Sequence, residues 1–200
     1  MKTTSKYKIC RRLGPGVYEK CQTQKFAVAL AKRGKSDKRP KAPSEYGVQF
    51  LEKQRARFSY GVSERQLRNY VRESTSAHDM PSSDKLFELL ERRLDNSVYR
   101  LGIASTRALA RQLVAHGHIL VNGKRVKSSA YLVHIGDKIT IREGSKKSPL
   151  FVEIDKRLKS YTWPTWLKFD PIAVTAEIVG MPKNTEGYLN FNTVLEFYSR

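Results

Sequence analysis

The sequence predicts an α+β fold: a mostly helical N-terminal part, then two packed helices against a small twisted β-sheet. Three observations carry this expectation. Apolar residues recur at a spacing of about 3.6 through the first half of the chain. Near Ile119 that spacing gives way to alternation, the mark of a half-buried strand. Between the first two alternating runs stands Asn122-Gly123, a dipeptide that tolerates the left-handed backbone of a two-residue type I′ hairpin turn. With 200 residues, 40% of them hydrophobic, the chain has material for a packed core and is not a wholly disordered polycation.

Residues 1–43 read as a basic arm. Its end, "AKRGKSDKRPKAP", is broken by Gly34, Pro40 and Pro43, which oppose helix. At most one short helix is expected in a segment that orders on meeting a polyanion. Residues 44–90 read as a helical domain. Its first helix, in "SEYGVQFLEKQRARFSYG", repeats Val48, Leu51, Arg55 and Phe58 at helical spacing and stops at Gly61. "SERQ" opens the second, where Ser63 can cap the first turn and Gln66 can reach back to it. On that helix Leu67, Tyr70 and Val71 share one face, and Arg65, Arg68 and Arg72 the opposite one. After the polar break "STSAHDMPSS", a third helix, "DKLFELLERRLD", carries Leu86, Leu90 and Leu94 at successive i+4 positions.

Residues 91–155 hold the switch of period. A short helical piece in "NSVYRLG" ends at Gly102, Ser105 is expected to cap "TRALARQLVAHG", and Gly117 terminates that helix. Leu109 and Leu113 point one way along it, Arg107 and Arg111 almost the other. Strands follow at Ile119 and Val121, resume at Val126 after the hairpin, and recur at Ile139 and Ile141 beyond the Gly136-Asp137 turn. "FVEIDKRLKSY" looks helical, while "WPTWLKF" and "IAVTAEIVG" look extended. The closing "NTVLEFYSR" reads as a short helix or strand. Residues 156–200 are expected to pack back on the helical domain. The chain has no internal repeat and no low-complexity tract.

Charge narrows the function. There are 38 Lys plus Arg against 19 Asp plus Glu, a net +19. Residues 1–60 carry +12, residues 61–160 carry +8 and residues 161–200 carry −1. Such a surface attracts phosphate polymers or anionic membranes. No run approaches the roughly 18 apolar residues of a membrane span, and "MKTTSKYKICRR" lacks the apolar stretch of a secretory signal. A soluble protein of a reducing compartment is expected, with an organellar transit segment left open. Its two cysteines, Cys10 and Cys21, give no reason to expect a disulfide framework.

The charge condenses around "HGHILVNGKRV". A helix carrying Arg107 and Arg111 runs into a tight hairpin carrying His118, Lys124 and Arg125, with Lys127 behind. Because the hairpin folds straight back, these groups can converge on one side of a helix-plus-hairpin unit. Arg forks onto phosphate oxygens, Lys acts as a point charge, and His stacks or donates to a 2′-hydroxyl. A solvated helix face and an ordinary exposed turn are the competing reading; the net +19 favours RNA.

Other candidates fare worse. "HGH" at 116–118 suggests a metal pair, but i and i+2 at a helix end diverge, so packed or RNA-stacking histidines are expected. "LGPGV" at 13–17 is too short for a phosphate loop and reads as a turn. Trp163 and Trp166 lie in a nearly neutral stretch and are assigned to core or a domain seam rather than to base stacking. Glu88 and Glu91 imitate an acid/base pair, yet with Arg92 and Arg93 adjacent they read as a solvated, salt-bridged face.

The stretch "RLDNSVYRLGIASTRALARQLVAHGHILVNGKRV", followed by "GDKITI", resembles the RNA-binding domain named after the fourth small-subunit ribosomal protein. The flanks "YGVQFLEKQRARFSYGVSERQLRNYV", "PTWLKFD" and "VLEFYSR" extend the resemblance to the bacterial S4 (uS4) ribosomal protein family. It implies a structural component of the small ribosomal subunit, in the cytoplasm or in an organellar ribosome. Such a protein is a primary ribosomal-RNA binder that nucleates the 5′ domain at a multi-helix junction. The partners implied are small-subunit ribosomal RNA, the fifth small-subunit protein and messenger RNA, with no membrane, no cofactor and no homo-oligomer. The RNA-binding positions implied are Arg93, Arg107, Arg111, Gln112, His116, His118 and Lys124, with Arg65, Arg68 and Arg72 and the segment Lys53, Arg55 and Arg57. Candidates for the messenger channel are Lys35, Lys38, Arg39 and Lys41.

Many members of that family place four cysteines in the arm as a zinc knuckle. This chain keeps Cys10 and Cys21 but has Tyr7 and Phe26 where the other two would fall. Two thiolates do not fill a tetrahedral site, so a degenerate site without metal is expected. The cysteines then serve as small, partly buried apolar groups, and the knuckle's packing passes to Tyr7 and Phe26. The alternatives in function are an RNA-modifying enzyme, which needs a catalytic domain this chain lacks room for, and a nonspecific nucleic-acid-compacting protein.

Overall fold

The computed structural model describes residues 5–32, 42–151, 154, 158, 161–170, 174–184 and 187–200. Lys35, Lys38, Arg39 and Lys41 lie outside them. The chain forms two compact units, Met1–Ser83 with Thr185–Arg200, and Asp84–Asn184.

The first unit begins with more helix than expected. Two α-helices, α1 (Lys6–Leu13) and α2 (Gln24–Ala31), flank two 3-10 turns, Pro15–Val17 and Glu19–Cys21. "LGPGV" is indeed a turn. The helices persist because they share a small apolar cluster of Cys10, Cys21 and Phe26, with Tyr7 and Tyr18 against it. Within it Cys10 and Cys21 are joined as a disulfide, their Cα atoms 6.4 Å apart. This corrects the expectation of two separate thiols. Tyr7 and Phe26 stack with ring centroids 5.6 Å apart, the packing role expected of them.

Helices α3 (Glu45–Ser59) and α4 (Glu64–Ser76) follow, separated by Gly61 at φ +61°. Ser63 and Gln66 form the full capping box, with both bonds at 3.0–3.2 Å. Leu67 and Val71 are buried on α4, and Arg65, Arg68 and Arg72 are exposed. On α3 the expected apolar stripe fails, since Val48 is exposed and the buried face is Gln49, Glu52, Lys53, Ala56 and Ser59. The reason is the helix that covers it, α9 (Phe191–Tyr198). Asn190 at its start donates its backbone N–H to Glu52 Oε1 at 2.9 Å, and Gln49 donates to Glu196 at 3.3 Å.

In the second unit the long third helix breaks in two, α5 (Ser82–Glu91) and α6 (Leu94–Arg100). Arg92 and Arg93 instead pair edge-on with the 131–133 segment, where Val133 N donates to Arg92 O and Leu94 N to Tyr131 O. Gly102 at φ +76° ends α6. Thr106, not Ser105, caps α7 (Arg107–Ala115), accepting from Leu109 N at 3.1 Å. Strands β1 (Ile119–Val121), β2 (Lys124–Arg125) and β3 (Lys138–Ile141) come next, then a short α8 (Glu143–Lys146). Asn122 and Gly123 both take positive φ, 51° and 74°, as a type I′ turn requires.

Two further strands, β4 (Leu167–Asp170) and β5 (Thr175–Ile178), complete an antiparallel sheet of order β2-β1-β3-β5-β4. The segment 156–200 is therefore divided: these strands join the sheet, and α9 belongs to the first unit. The core is continuous from Leu94, Val98 and Leu113 on the helices to Ile119, Val121, Ile139, Ile141, Ala176 and Ile178 on the sheet. Ile154 and Leu158 are helical and buried against it. Trp166 is part of it, and Trp163 packs alongside with its indole N–H on Leu101 O at 3.2 Å.

Candidate nucleic-acid interface

The site is organised by carboxylates the sequence reading left aside. Asp95 is 2% exposed on α6 and accepts from two guanidiniums. Arg93 binds it from within at 2.8–3.0 Å, and Arg111 reaches it from α7 at 2.6–2.9 Å. Glu91, 1% exposed, takes Arg100 bidentately at 2.9–3.0 Å and also holds Asn96 at 2.8 Å. Asn96 in turn accepts from Arg107 Nε at 2.7 Å, while that guanidinium lies 4.4 Å from the Tyr99 ring centre. Forked Arg–carboxylate pairs fix direction as well as charge, so these arginines are held in set orientations.

Arg107 and Arg111 are thus brought together on one face of α7, partly exposed. Arg93 is not with them at the surface: at 1% exposure it serves as Asp95's inner partner, a correction to its reading as an RNA ligand. Glu88 and Glu91 are ion-paired as expected but buried, not solvated. The signal for this lay in "ERRLDN", where charged residues sit between Leu90 and Leu94 and cannot all escape the core.

The hairpin is tied to the end of the same helix. Arg125 Nη2 donates to His116 O at 2.7 Å, closing the C-terminal turn of α7. Lys124 faces Val121 across the ladder, so its side chain leaves the sheet on the face that carries the core. Gln112, His116, Lys124, Arg125 and Lys127 are exposed. The His116 and His118 rings lie nearly parallel, 6.2 Å apart, where divergence was expected. His118 Nδ1 hydrogen-bonds Ser145 Oγ at 2.9 Å. Burial first, then the charges of His116, Arg125 and Arg142, lowers the His118 pKa from its ordinary value. No cluster of metal-binding side chains occurs among the described residues.

In the first unit, Arg65, Arg68 and Arg72 form a separate exposed row. The Lys53, Arg55 and Arg57 group does not join it. Lys53 is 5% exposed, pairs with Glu64 at 2.8 Å and sits 4.4 Å from the Phe197 ring centre, so its ammonium is spent inside the fold. Burial tends to raise the Glu64 pKa, but hydrogen bonds from Lys53 and Tyr198 and the charge of Arg57 carry it below its ordinary value. Arg55 joins Leu13 O at 2.7 Å and Glu52 at 2.6 Å. Arg57 is partly buried, 3.7 Å from Glu64.

A helical N-terminal unit and a helix-pair-plus-hairpin unit, each with a guanidinium row, define a two-part α+β protein with a cationic face on each unit. Residues 92–139 match the S4 domain, and residues 1–91 match the ribosomal protein S4/S9 N-terminal domain. The chain is 43% identical over 199 residues to the small ribosomal subunit protein uS4 of Roseiflexus sp. (strain RS-1), covering 96% of each chain. It is 41% identical to that of Natranaerobius thermophilus, again covering 96% of each, and 38% identical to that of Syntrophomonas wolfei, covering 99% of this chain and 98% of the other. The chain belongs to the family of small ribosomal subunit protein uS4. That membership sets aside the RNA-modifying enzyme: the family is structural.

Proposed function

We propose that the chain is a structural component of the small ribosomal subunit, a primary binder of its RNA that nucleates the 5′ domain at a multi-helix junction. The observation that carries the reading is the guanidinium row on α7, held by Asp95 and Asn96 beside a hairpin whose Arg125 grips the same helix. Preset donors spaced one helical turn apart suit phosphates on a folded backbone, and A-form RNA is recognised chiefly by shape and backbone. Arg65, Arg68 and Arg72 supply a second row. Arg107, Arg111, Gln112, His116, His118, Lys124, Arg125 and Lys127 are assigned to RNA. The fifth small-subunit protein and messenger RNA, the latter on Lys35, Lys38, Arg39 and Lys41, complete the set of partners.

Chemical footprinting of small-subunit ribosomal RNA tests this reading. Protection confined to one multi-helix junction is expected, and it should weaken for the double variant Arg107→Ala, Arg111→Ala while circular dichroism stays native. Uniform protection along the RNA, or equal affinity for duplex DNA at matched salt, would mark a nonspecific polycation instead.

A further inference from the structure

Helix α2, QKFAVALA, is apolar from Phe26 onward, yet Phe26 is the one residue it buries. Ala27, Val28, Ala29, Leu30 and Ala31 are all exposed, Val28 at 46% and Leu30 at 45%. A helix apolar nearly all round is normally covered, and so short a helix is marginal in water by itself. Between α1 and α2 runs an open cavity of about 380 Å³, within the range of about 300–1,000 Å³ typical of small-ligand sites. Tyr7 and Arg11, one turn apart on α1, form one wall; Lys25 and Ala29, with Phe26 and Leu30, form the other from successive turns of α2. The Tyr7–Phe26 stack and the cluster of Cys10, Cys21 and Phe26 hold the walls together. Arg11 and Lys25, both exposed, stand one on each wall, and no carboxylate is among the described lining residues.

We propose that this groove docks an acidic amphipathic helix of a partner protein, its apolar side chains seated on Ala29 and Leu30 and its flanking carboxylates on Arg11 and Lys25. Charge decides the occupant. The chain's own following residues, Arg33, Lys35, Lys38, Arg39 and Lys41 against Asp37, are repelled by the same cations. A second copy of a chain with net +19 is repelled likewise. An RNA strand matches the rim but not the floor. Phosphate gains nothing over Ala29 and Leu30, and the rings are already engaged, Tyr7 with Phe26 and with the Lys20 ammonium 5.2 Å from its centre. An acidic amphipathic helix suits both parts, with apolar contact at the centre and opposite charge at the edge.

The proposal does not depend on the RNA-binding reading above, and its probes contain no ribosomal RNA. The full chain is titrated with a synthetic peptide whose leucines recur at i, i+4 and i+7 with glutamates on both flanks. A scrambled peptide of the same composition and tetra-adenylate serve as controls. NMR follows the methyl groups of Ala29 and Leu30. The amphipathic peptide is expected to shift both and to bind about tenfold more tightly than the scrambled one, which carries the same charge but forms no apolar face. Leu30→Gln, which leaves the net charge unchanged, is expected to weaken that binding about tenfold, the scale of withdrawing one leucine side chain from apolar contact. Should that variant lose α2, Leu30→Ala, which favours helix, is expected to weaken it in the same direction. The double variant Arg11→Gln, Lys25→Gln is expected to weaken it and to flatten its dependence on salt. A scrambled peptide that binds equally well, or undiminished binding by a folded Leu30 variant, overturns the proposal. Tetra-adenylate moving the Ala29 and Leu30 methyls more strongly than the peptide would make the groove an RNA surface and overturn it. Self-association of the free chain in sedimentation, abolished by Leu30→Gln, would make a second copy the occupant and overturn it as well.

Discussion

Asp95 illustrates how one buried charge sets a surface. Its carboxylate stands between Arg93, which never reaches solvent, and Arg111, whose side chain is 36% exposed. Removing one partner of a buried pair leaves the other uncompensated. Asp95→Asn is therefore expected to cost about 3–5 kcal/mol in urea denaturation and to weaken RNA binding by releasing Arg111; a loss below about 1 kcal/mol, the range of surface pairs, would contradict the assignment. His118 gives a pH signature. Its pKa is lowered in the folded protein from 6.5, first by burial and then by nearby cations, so the unfolded chain takes up the proton first as pH falls. The stability from the neutral ring is complete above about 6.5 and is lost on acidification toward the lower folded value. His118→Asn is expected to flatten that part of a plot of Tm against pH, and an unchanged slope counts against it. At this scale the exposed arginines were legible from wheel position. Arg93 and Lys53 were not, because neighbours distant in sequence decide whether a cation is buried.

Among the elements, the junction of α7 and the hairpin depends on Gly117. It sits at φ +72°, and a Cβ there would meet the Arg125 guanidinium. Gly117→Ala is expected to cost about 1–2 kcal/mol for the left-handed backbone alone and to loosen Arg125 from His116 O. Thermal denaturation reads the first effect and hydrogen exchange at the end of α7 the second. Wild-type behaviour in both would mean that the helix end does not need this closure. Local chemistry made some elements readable: the Ser63–Gln66 box and the Asn122-Gly123 turn depend on residues a few positions apart. α3 misled because its buried face is polar, matched by α9 from the far end of the chain. The arm misled because its helices are held by one small aromatic and cysteine cluster, which composition does not reveal. β4 and β5 were legible as extended pieces, but the pairing of β5 with β3 was not, since register across long connections leaves no mark in either strand.

For the molecule as a whole, charge is the plainest message. The +19 surplus points to a polyanion, yet it does not separate a shaped site from a sticky surface. The central claim is that cations from α7, oriented by Asp95 and Asn96, and from the adjoining hairpin neutralise particular phosphates of one folded RNA. The most direct measurement is the salt dependence of affinity for the ribosomal-RNA junction, in the native chain and in the triple variant Arg107→Ala, Arg111→Ala, Lys124→Ala. Each lost phosphate contact is expected to reduce the slope of log K against log salt by about one, so the variant should be shallower by about two to three with its circular dichroism unchanged. An identical slope in a folded variant would mean that this face does not touch the RNA backbone.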